Sequence, residues 1–398
     1  MYKSKYIILI LSVLLFACND LDISDDQAKS FIKFLSPSKS NVGKDVKQCG
    51  DGYIVLATVT SEKLNTEIVL YKIDQFGNIK IDGVDTLSSV RGGNNSASKL
   101  LLTSDGGFIV TGTVEDTAIL TTDVYIEKFN SSFISEWSQV VGTNDNEECG
   151  SISVDYSGYI IVGSTDADAV AANGNPQGNK DFYLIKLDEA GNVEWTENQG
   201  SPGDDYASDV VAIVGGYLLV GTTNGLHGGP DNDIVIMQTN YVGGVPDVIT
   251  YGGDNNDYGT SIIKANDGGY LIVGAVENIA GTNLDIYAVR VDSVIHDKIW
   301  DDQFARETWA QGYEVIKNNG GFIIVGSVEE ATGTAAYFLK LEADSLGTKQ
   351  VVQTYGGYGQ IIYAIEQTYD GGYIMTGSSG QEGNEKIYLI KVNSEGEL

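Results

Sequence analysis

Only two histidines stand in the 398-residue chain, His227 and His296. A hydroxyl or thiol nucleophile needs a base beside it, and histidine is the usual one. His227 lies in the glycine-rich run Gly225-Leu226-His227-Gly228-Gly229 and is the better candidate for a functional group, whereas His296 sits in Val294-Ile295-His296-Asp297. The repeat described below puts the two in different units and on opposite faces, so they do not make a pair. No His-Glu-x-x-His, Gly-x-Ser-x-Gly or phosphate loop occurs.

Carboxylates are the abundant reactive group: Asp+Glu number 55 against Lys+Arg 24, a formal charge of −31. Close pairs stand at Asp204-Asp205, Asp231/Asp233, Asp254/Asp257 and Asp301-Asp302. Two carboxyls facing each other across a bond hydrolyse glycosides, but aspartate also stabilises turns by bonding its own backbone. Asp123, Asp181, Asp233 and Asp285 recur just before a strand and read as scaffold. Calcium prefers carboxylate and carbonyl oxygens, and Asp254-Asn255-Asn256-Asp257 and Asp166-Ala167-Asp168 offer them. Neither follows a known calcium loop, so no cofactor is expected and Ca2+ is the one ion to weigh. A field this negative repels nucleic acid.

The elements that position these groups come from a repeat. A Gly-aromatic pair recurs at Gly52-Tyr53, Gly107-Phe108, Gly158-Tyr159, Gly216-Tyr217, Gly269-Tyr270, Gly321-Phe322 and Gly372-Tyr373, with aromatic spacings of 55, 51, 58, 53, 52 and 51. Asp105, Asp267 and Asp370 open full Asp-Gly-Gly turns, with Asn319 standing in for a fourth. Each aromatic starts an apolar run such as Tyr270-Leu271-Ile272-Val273, the mark of a strand covered on both faces. A second strand follows, then a third that carries Trp137, Trp195 or Trp300 in three copies, then a short fourth. Four strands per unit and seven units predict an all-β, seven-bladed β-propeller over residues 30–398. The seventh unit ends before its last strand, and Ser30–Leu35 has the pattern to supply it and close the ring. Cys49 and Cys149 are expected as unpaired core residues.

The pattern resembles the DGGY-type propeller repeats of bacterial secreted and surface proteins, with altered turns at Asp155-Tyr156-Ser157-Gly158 and Val214-Gly215-Gly216. Propellers host many unrelated functions, so the resemblance implies little about activity. Tight turns share one face, and the longer connections at Asp166–Lys180, Asn224–Asn232, Glu277–Leu284 and between blades occupy the other. The ligand-binding candidates lie there: Asp204, Asp205, Tyr206, His227, Asp254, Asp257, Tyr258, Trp309 and Tyr358. Aromatics beside carboxylates suit sugar binding, so the expected role is a binding module for a glycan or an envelope protein, acting as a monomer. The alternative is a polysaccharide-active hydrolase or lyase with an asymmetric carboxylate pair.

Lys3 and Lys5 precede an apolar run from Tyr6 to Ala17, followed by Cys18. The run is shorter than the roughly 20 residues that span a bilayer and has the form of a secretory signal. Leu15-Phe16-Ala17-Cys18 resembles the bacterial lipobox, although Phe16 is bulkier than usual, and Asn19–Asp26 is similar to the acidic export signal of Bacteroidetes-type surface lipoproteins. The resemblance implies a signal peptide over 1–17, a lipidated Cys18 with an acidic tether over 18–29, and an outer-membrane lipoprotein, at the cell surface or otherwise facing the periplasm. Changing Cys18→Ser is expected to remove the protein from the detergent phase on phase partitioning; unaltered partitioning counts against the lipid anchor.

Overall fold

The computed structural model describes residues 30–36, 39–87, 92–167, 180–225, 231–244, 247–278, 281–305, 308–342 and 348–398. The signal segment, Cys18, the tether and His227 lie outside the described residues. Twenty-eight strands, numbered β1 to β28 in chain order, form seven antiparallel sheets of four. The chain is all-β among these residues, and the sheets are the blades of a propeller.

Six blades run in plain sequence order from the inner to the outer strand. The inner strands of blades 1 to 7 are β2 (Ser40–Cys49), β6 (Ser96–Leu102), β10 (Glu147–Asp155), β14 (Asp205–Ile213), β18 (Asp257–Lys264), β22 (Ala310–Asn318) and β26 (Gln360–Gln367). The strand read from sequence as the short fourth of each unit is thus the innermost strand of the following blade. It begins at Asp205 in blade 4, earlier than the apolar run indicates, because its first residues are polar. In blade 7, β1 (Phe31–Leu35) pairs antiparallel with β28 (Lys386–Val392), from Phe31↔Lys391 to Leu35↔Ile387, and takes the outermost place. Phe34 stacks on Tyr388 at 5.2 Å. The N-terminal strand therefore closes the ring as expected.

The Gly-aromatic pair is explained by two contacts. A Cβ on Gly52 would lie 2.1 Å from the Ile73 carbonyl oxygen, so only glycine lets the hairpin strands meet there. The aromatic that follows is a wedge between blades: Tyr159 meets Trp137 of the preceding blade at 6.3 Å, and Tyr217 meets Trp195 at 6.2 Å. Blade faces cover one another, so β11 (Gly158–Thr165) and β15 (Gly216–Thr223) are buried at every residue. That explains their continuous apolarity.

The turn aspartates bond backbone as expected: Asp105 accepts from Gly107 N (3.0 Å), Asp267 from Gly269 N (3.1 Å) and Asp370 from Gly372 N (3.0 Å). In blade 6 the role falls to Asn318, which accepts from Gly320 N at 3.0 Å, not to Asn319. The reason is register: Asn318 pairs with Gly321, leaving a two-residue turn. Four of the turns also draw a buried cation from the third strand of their blade. Lys128 pairs with Asp105, Lys186 with Asp155 (3.4 Å), Arg290 with Asp267 and Lys391 with Asp370 (3.1 Å). Cys49 and Cys149 are free, each half-buried against a different apolar cluster.

All seven inner strands slip register at one level, between Gly43/Asp45, Ala97/Leu100, Cys149/Ser151, Ala207/Asp209, Gly259/Ser261, Gly312/Glu314 and Ile362/Ala364. A bulge leaves a residue out of the ladder and bends the strand. In four of the seven the side chain after the bulge then accepts a backbone N–H from the next blade. Asp45 takes Leu100 N (2.8 Å), Asp209 takes Ile262 N (3.0 Å), Ser261 takes Val315 N (3.3 Å) and Glu314 takes Ile365 N (2.6 Å). Lys99 of blade 2 crosses to Glu314 of blade 6 and lies 3.9 Å from Asp45. Burial disfavours its charge, but Glu314 and Asp45 outweigh burial and hold its pKa above the ordinary value.

Deleting Ser30–Leu35 bares the edge of β28, and an unpaired edge strand invites aggregation. The deletion is expected to lower the melting temperature and give aggregates on size-exclusion chromatography, whereas deleting residues 19–29 alone changes neither. Equal melting of both deletion variants and the parent would refute closure by β1.

Candidate functional site

Most candidate residues cluster where inner strands begin, on the face opposite the tight turns. Register sorts them. Asn41, Asn95, Glu147, Asp205, Asp257, Ala310 and Gln360 occupy equivalent positions at the head of the inner strands, and all are buried. Asp205 accepts from Ser201 N (2.6 Å) and Ser201 Oγ (3.1 Å). Asp257 accepts from Gly253 N and from Glu277 N (3.0 Å). Glu147 does the same with Thr143 N (2.7 Å), and Gln360 with Gly357 N (2.9 Å) and Tyr358 N (2.7 Å). These side chains cap the connection arriving from the previous blade. Burial pushes the Asp205 carboxyl up and the Asp257 carboxyl up to about 6. Asp205 and Asp257 therefore serve as structural caps, while each also borders a cavity, Asp257 the blade-5 cavity described below.

The recurring aspartates Asp123, Asp181, Asp233 and Asp285 belong to the same scaffold. A Cβ on Gly142 would lie 2.1 Å from Asp123 Oδ1, and one on Gly200 would lie 1.6 Å from Asp181 Oδ1. In blades 2 and 3 the glycine that follows the outer strand makes room for that carboxyl.

One residue on from the caps comes a ring at the channel mouth: Val42, Ser96, Glu148, Tyr206, Tyr258, Gln311 and Ile361. Tyr206 is exposed and carries Lys180 Nζ 5.6 Å from its ring centre, while Lys180 also holds Glu148 at 2.7 Å. Tyr258 is half-buried, its hydroxyl accepting from Asn232 Nδ2 at 3.4 Å. The next ring inward is formed by the bulged residues Lys44, Ser98, Gly150, Ser208, Thr260, Tyr313 and Tyr363, all half-buried. Tyr313 and Tyr363 meet edge to face at 5.0 Å, and Tyr313 donates to Gln311 Oε1 at 3.1 Å. Sequence reasoning missed Tyr313, Tyr363 and Lys44. The signal was there: Gln311/Tyr313 and Ile361/Tyr363 continue the alternation through the level that holds Tyr206 and Tyr258.

Trp309 and Tyr358 do not join this rim. Trp309 precedes its inner strand, its carbonyl bonded by Glu329 N at 2.7 Å, and Tyr358 lies 74% exposed on the connection into blade 7. Asp204 is half-buried beside its cap, with its N–H on Asn224 Oδ1 at 2.6 Å. Asp254 is exposed and borders a cavity of about 730 Å³ on blade 5, which Glu277, Tyr287 and Asp301 also line. Tyr287 donates to Asp301 at 2.6 Å. His296 lies on the tight-turn face, 2.7 Å from Asp247, remote from the mouth. Among the described residues no group of three His, Cys, Asp or Glu is placed to hold a metal ion.

No family model and no curated protein sequence matches the chain. Solved structures do. The chain is similar to the WD40 domain of Pan2 from Neurospora crassa, at 12% identity and a TM-score of 0.54, covering 93% of this chain and 98% of that one. It is similar to the β-propeller domain of the Trilobed protease from Pyrococcus furiosus (9%, TM-score 0.52, 90% and 97%) and to an α-L-arabinofuranosidase of Fusarium graminearum (9%, TM-score 0.50, 92% and 98%). It spans about half, 52%, of the acylaminoacyl peptidase of Pyrococcus horikoshii. At these identities the likeness establishes the fold, a β-propeller, and nothing of the activity.

The cap assignment has a pH signature. The folded-state pKa of Asp257 lies above its unfolded value, so this group favours folding while protonated and loses that contribution as pH rises toward about 6. Asp257→Asn removes the titration and supplies one acceptor for two N–H groups, a loss of about 1–3 kcal/mol. Urea unfolding at pH 4.5 and pH 7 is expected to show the larger penalty at pH 4.5. A pH-independent penalty contradicts the raised pKa.

Proposed function

We propose that the protein is a lipid-anchored propeller of the cell envelope that binds a glycan or a partner protein over the mouth of its channel. The carrying observation is the uneven placement of aromatic rings on a repeating rim. Tyr206, Tyr258, Tyr313 and Tyr363 occupy blades 4, 5, 6 and 7, while blades 1 to 3 present Val42, Lys44, Ser96, Ser98, Glu148 and Gly150 at the same levels. The wedges that follow the Gly-aromatic turns are different aromatics, and of these four only Tyr313 and Tyr363 meet each other across a blade junction. Tyrosines stack the apolar face of a sugar, and Gln311 and Glu148 accept hydroxyl protons beside them. Cys18 would tether this binding face to the outer membrane, at the cell surface or facing the periplasm, with the protein acting as a monomer.

A polysaccharide-active enzyme is the second reading, favoured by the blade-5 cavity with Asp254, Glu277 and Asp301 on its wall. Two carboxylates across one cleft are what glycoside hydrolysis requires. Turnover of a polysaccharide that is lost in Asp254→Asn and Glu277→Gln would establish it over the binding module.

The test of binding is a glycan panel probed with the mature protein, followed by Tyr258→Ala and Tyr206→Ala. Each substitution is expected to weaken affinity by up to about tenfold, since a stacking contact contributes about 0.5–1.5 kcal/mol beyond burial. The melting temperature should stay close to that of the parent. Unchanged affinity, or a large fall in melting temperature with affinity kept, rejects the mouth as the site.

A further inference from the structure

We propose that the inner ring of the channel is a subsite for the carboxylate of an acidic sugar, with Lys44 as its ion-pair partner and Tyr363 and Tyr313 as the stacking wall. The proposal rests on the glycan reading above and gives it a substrate class. Lys44 is the residue that the bulge of β2 leaves out of the ladder. Its Nζ lies 5.1 Å from the centre of the Tyr363 ring, and among the described residues no carboxylate lies within 4.0 Å of it. The other half-buried or buried cations of the inner rim and the turns are each matched: Lys47 and Lys99 to Asp45, Lys128 to Asp105, Lys186 to Asp155, Arg290 to Asp267, and Lys391 to Asp370.

The structural duty at this level belongs to the next residue, Asp45, which clasps blade 2. Lys44 takes no part in that clasp. Burial disfavours its charge and lowers its pKa. A desolvated ammonium without a counter-ion costs free energy that an incoming anion would relieve. The ring around it is lopsided. Tyr363 and Tyr313 stand on one side of Lys44, whereas Ser98, Gly150 and Ser208 leave the rest of that level without bulk. A pyranose can lie on the tyrosines with its carboxylate toward Lys44 and its hydroxyls toward the serines. A single ammonium in a chain of charge −31 suits a monoanion such as a uronate better than a dianion.

Calorimetry on the full mature chain, with trigalacturonate and its carboxyl-reduced neutral counterpart as probes, decides the matter. The parent protein is expected to bind the acidic trisaccharide roughly ten- to a hundredfold more tightly, the range of a charge-assisted hydrogen bond. Lys44→Gln should abolish that preference, keep the neutral affinity, and melt at or above the parent temperature because no ion pair is lost. Ser208→Trp, which fills the opposite wall, should weaken both ligands. If the parent binds both trisaccharides equally, or Lys44→Gln keeps the preference, the subsite is overturned while glycan binding stands. If neither is bound at all, the glycan reading falls and this subsite falls with it.

Discussion

The ring depends on side chains that reach from one inner strand to the backbone of the next. Antiparallel pairing holds a blade together, but nothing in a four-stranded sheet ties it to the next. Here every inner strand carries a bulge, and in four of them the residue that follows it, Asp45, Asp209, Ser261 or Glu314, accepts a backbone N–H from the adjacent blade. Because these bonds are buried, breaking one strands an N–H without water, which is costlier than the bond itself is favourable. The clasp therefore fixes both blade order and the level at which side chains enter the channel. Everything placed on the rim, from Tyr206 to Tyr363, is positioned by that slip of one residue.

The fold was legible because its strongest signals are steric. A glycine facing a carbonyl at van der Waals distance and an aromatic wedged on a tryptophan admit few substitutes, so Gly-aromatic pairs repeat and can be counted. Asp-Gly-Gly turns repeat for the same reason, and the shift from Asn319 to Asn318 arises where a shorter turn satisfies the same backbone group. The inner strands were harder to place because their residues are polar and answer to neighbouring blades, not to their own hairpins. Asp205 and Asp257 looked like reactive groups for that reason. Carboxylates that cap a connection and carboxylates that do chemistry share a composition, and only the partner atoms separate them.

The scarcity of basic residues takes on meaning once their partners are known. With 24 Lys and Arg in all, the chain places Lys128, Lys186, Arg290 and Lys391 beneath its tight turns and Lys47 and Lys99 in the channel. Cations are used as internal fasteners while the outer surface keeps its excess of Asp and Glu. The negative charge is thus not spread evenly through the molecule. Buried carboxylates such as Glu147, Asp205 and Asp257 are held by backbone N–H groups at the heads of the inner strands, whereas the buried cations lie beneath the turns and in the channel.

The ion pair from Lys99 to Glu314 reaches across the axis from blade 2 to blade 6. For the glycan binding proposed above, a crossing at that level would favour the end of a chain or a short branch over a polymer threaded along the axis. A ligand held there would exchange by release and return instead of sliding.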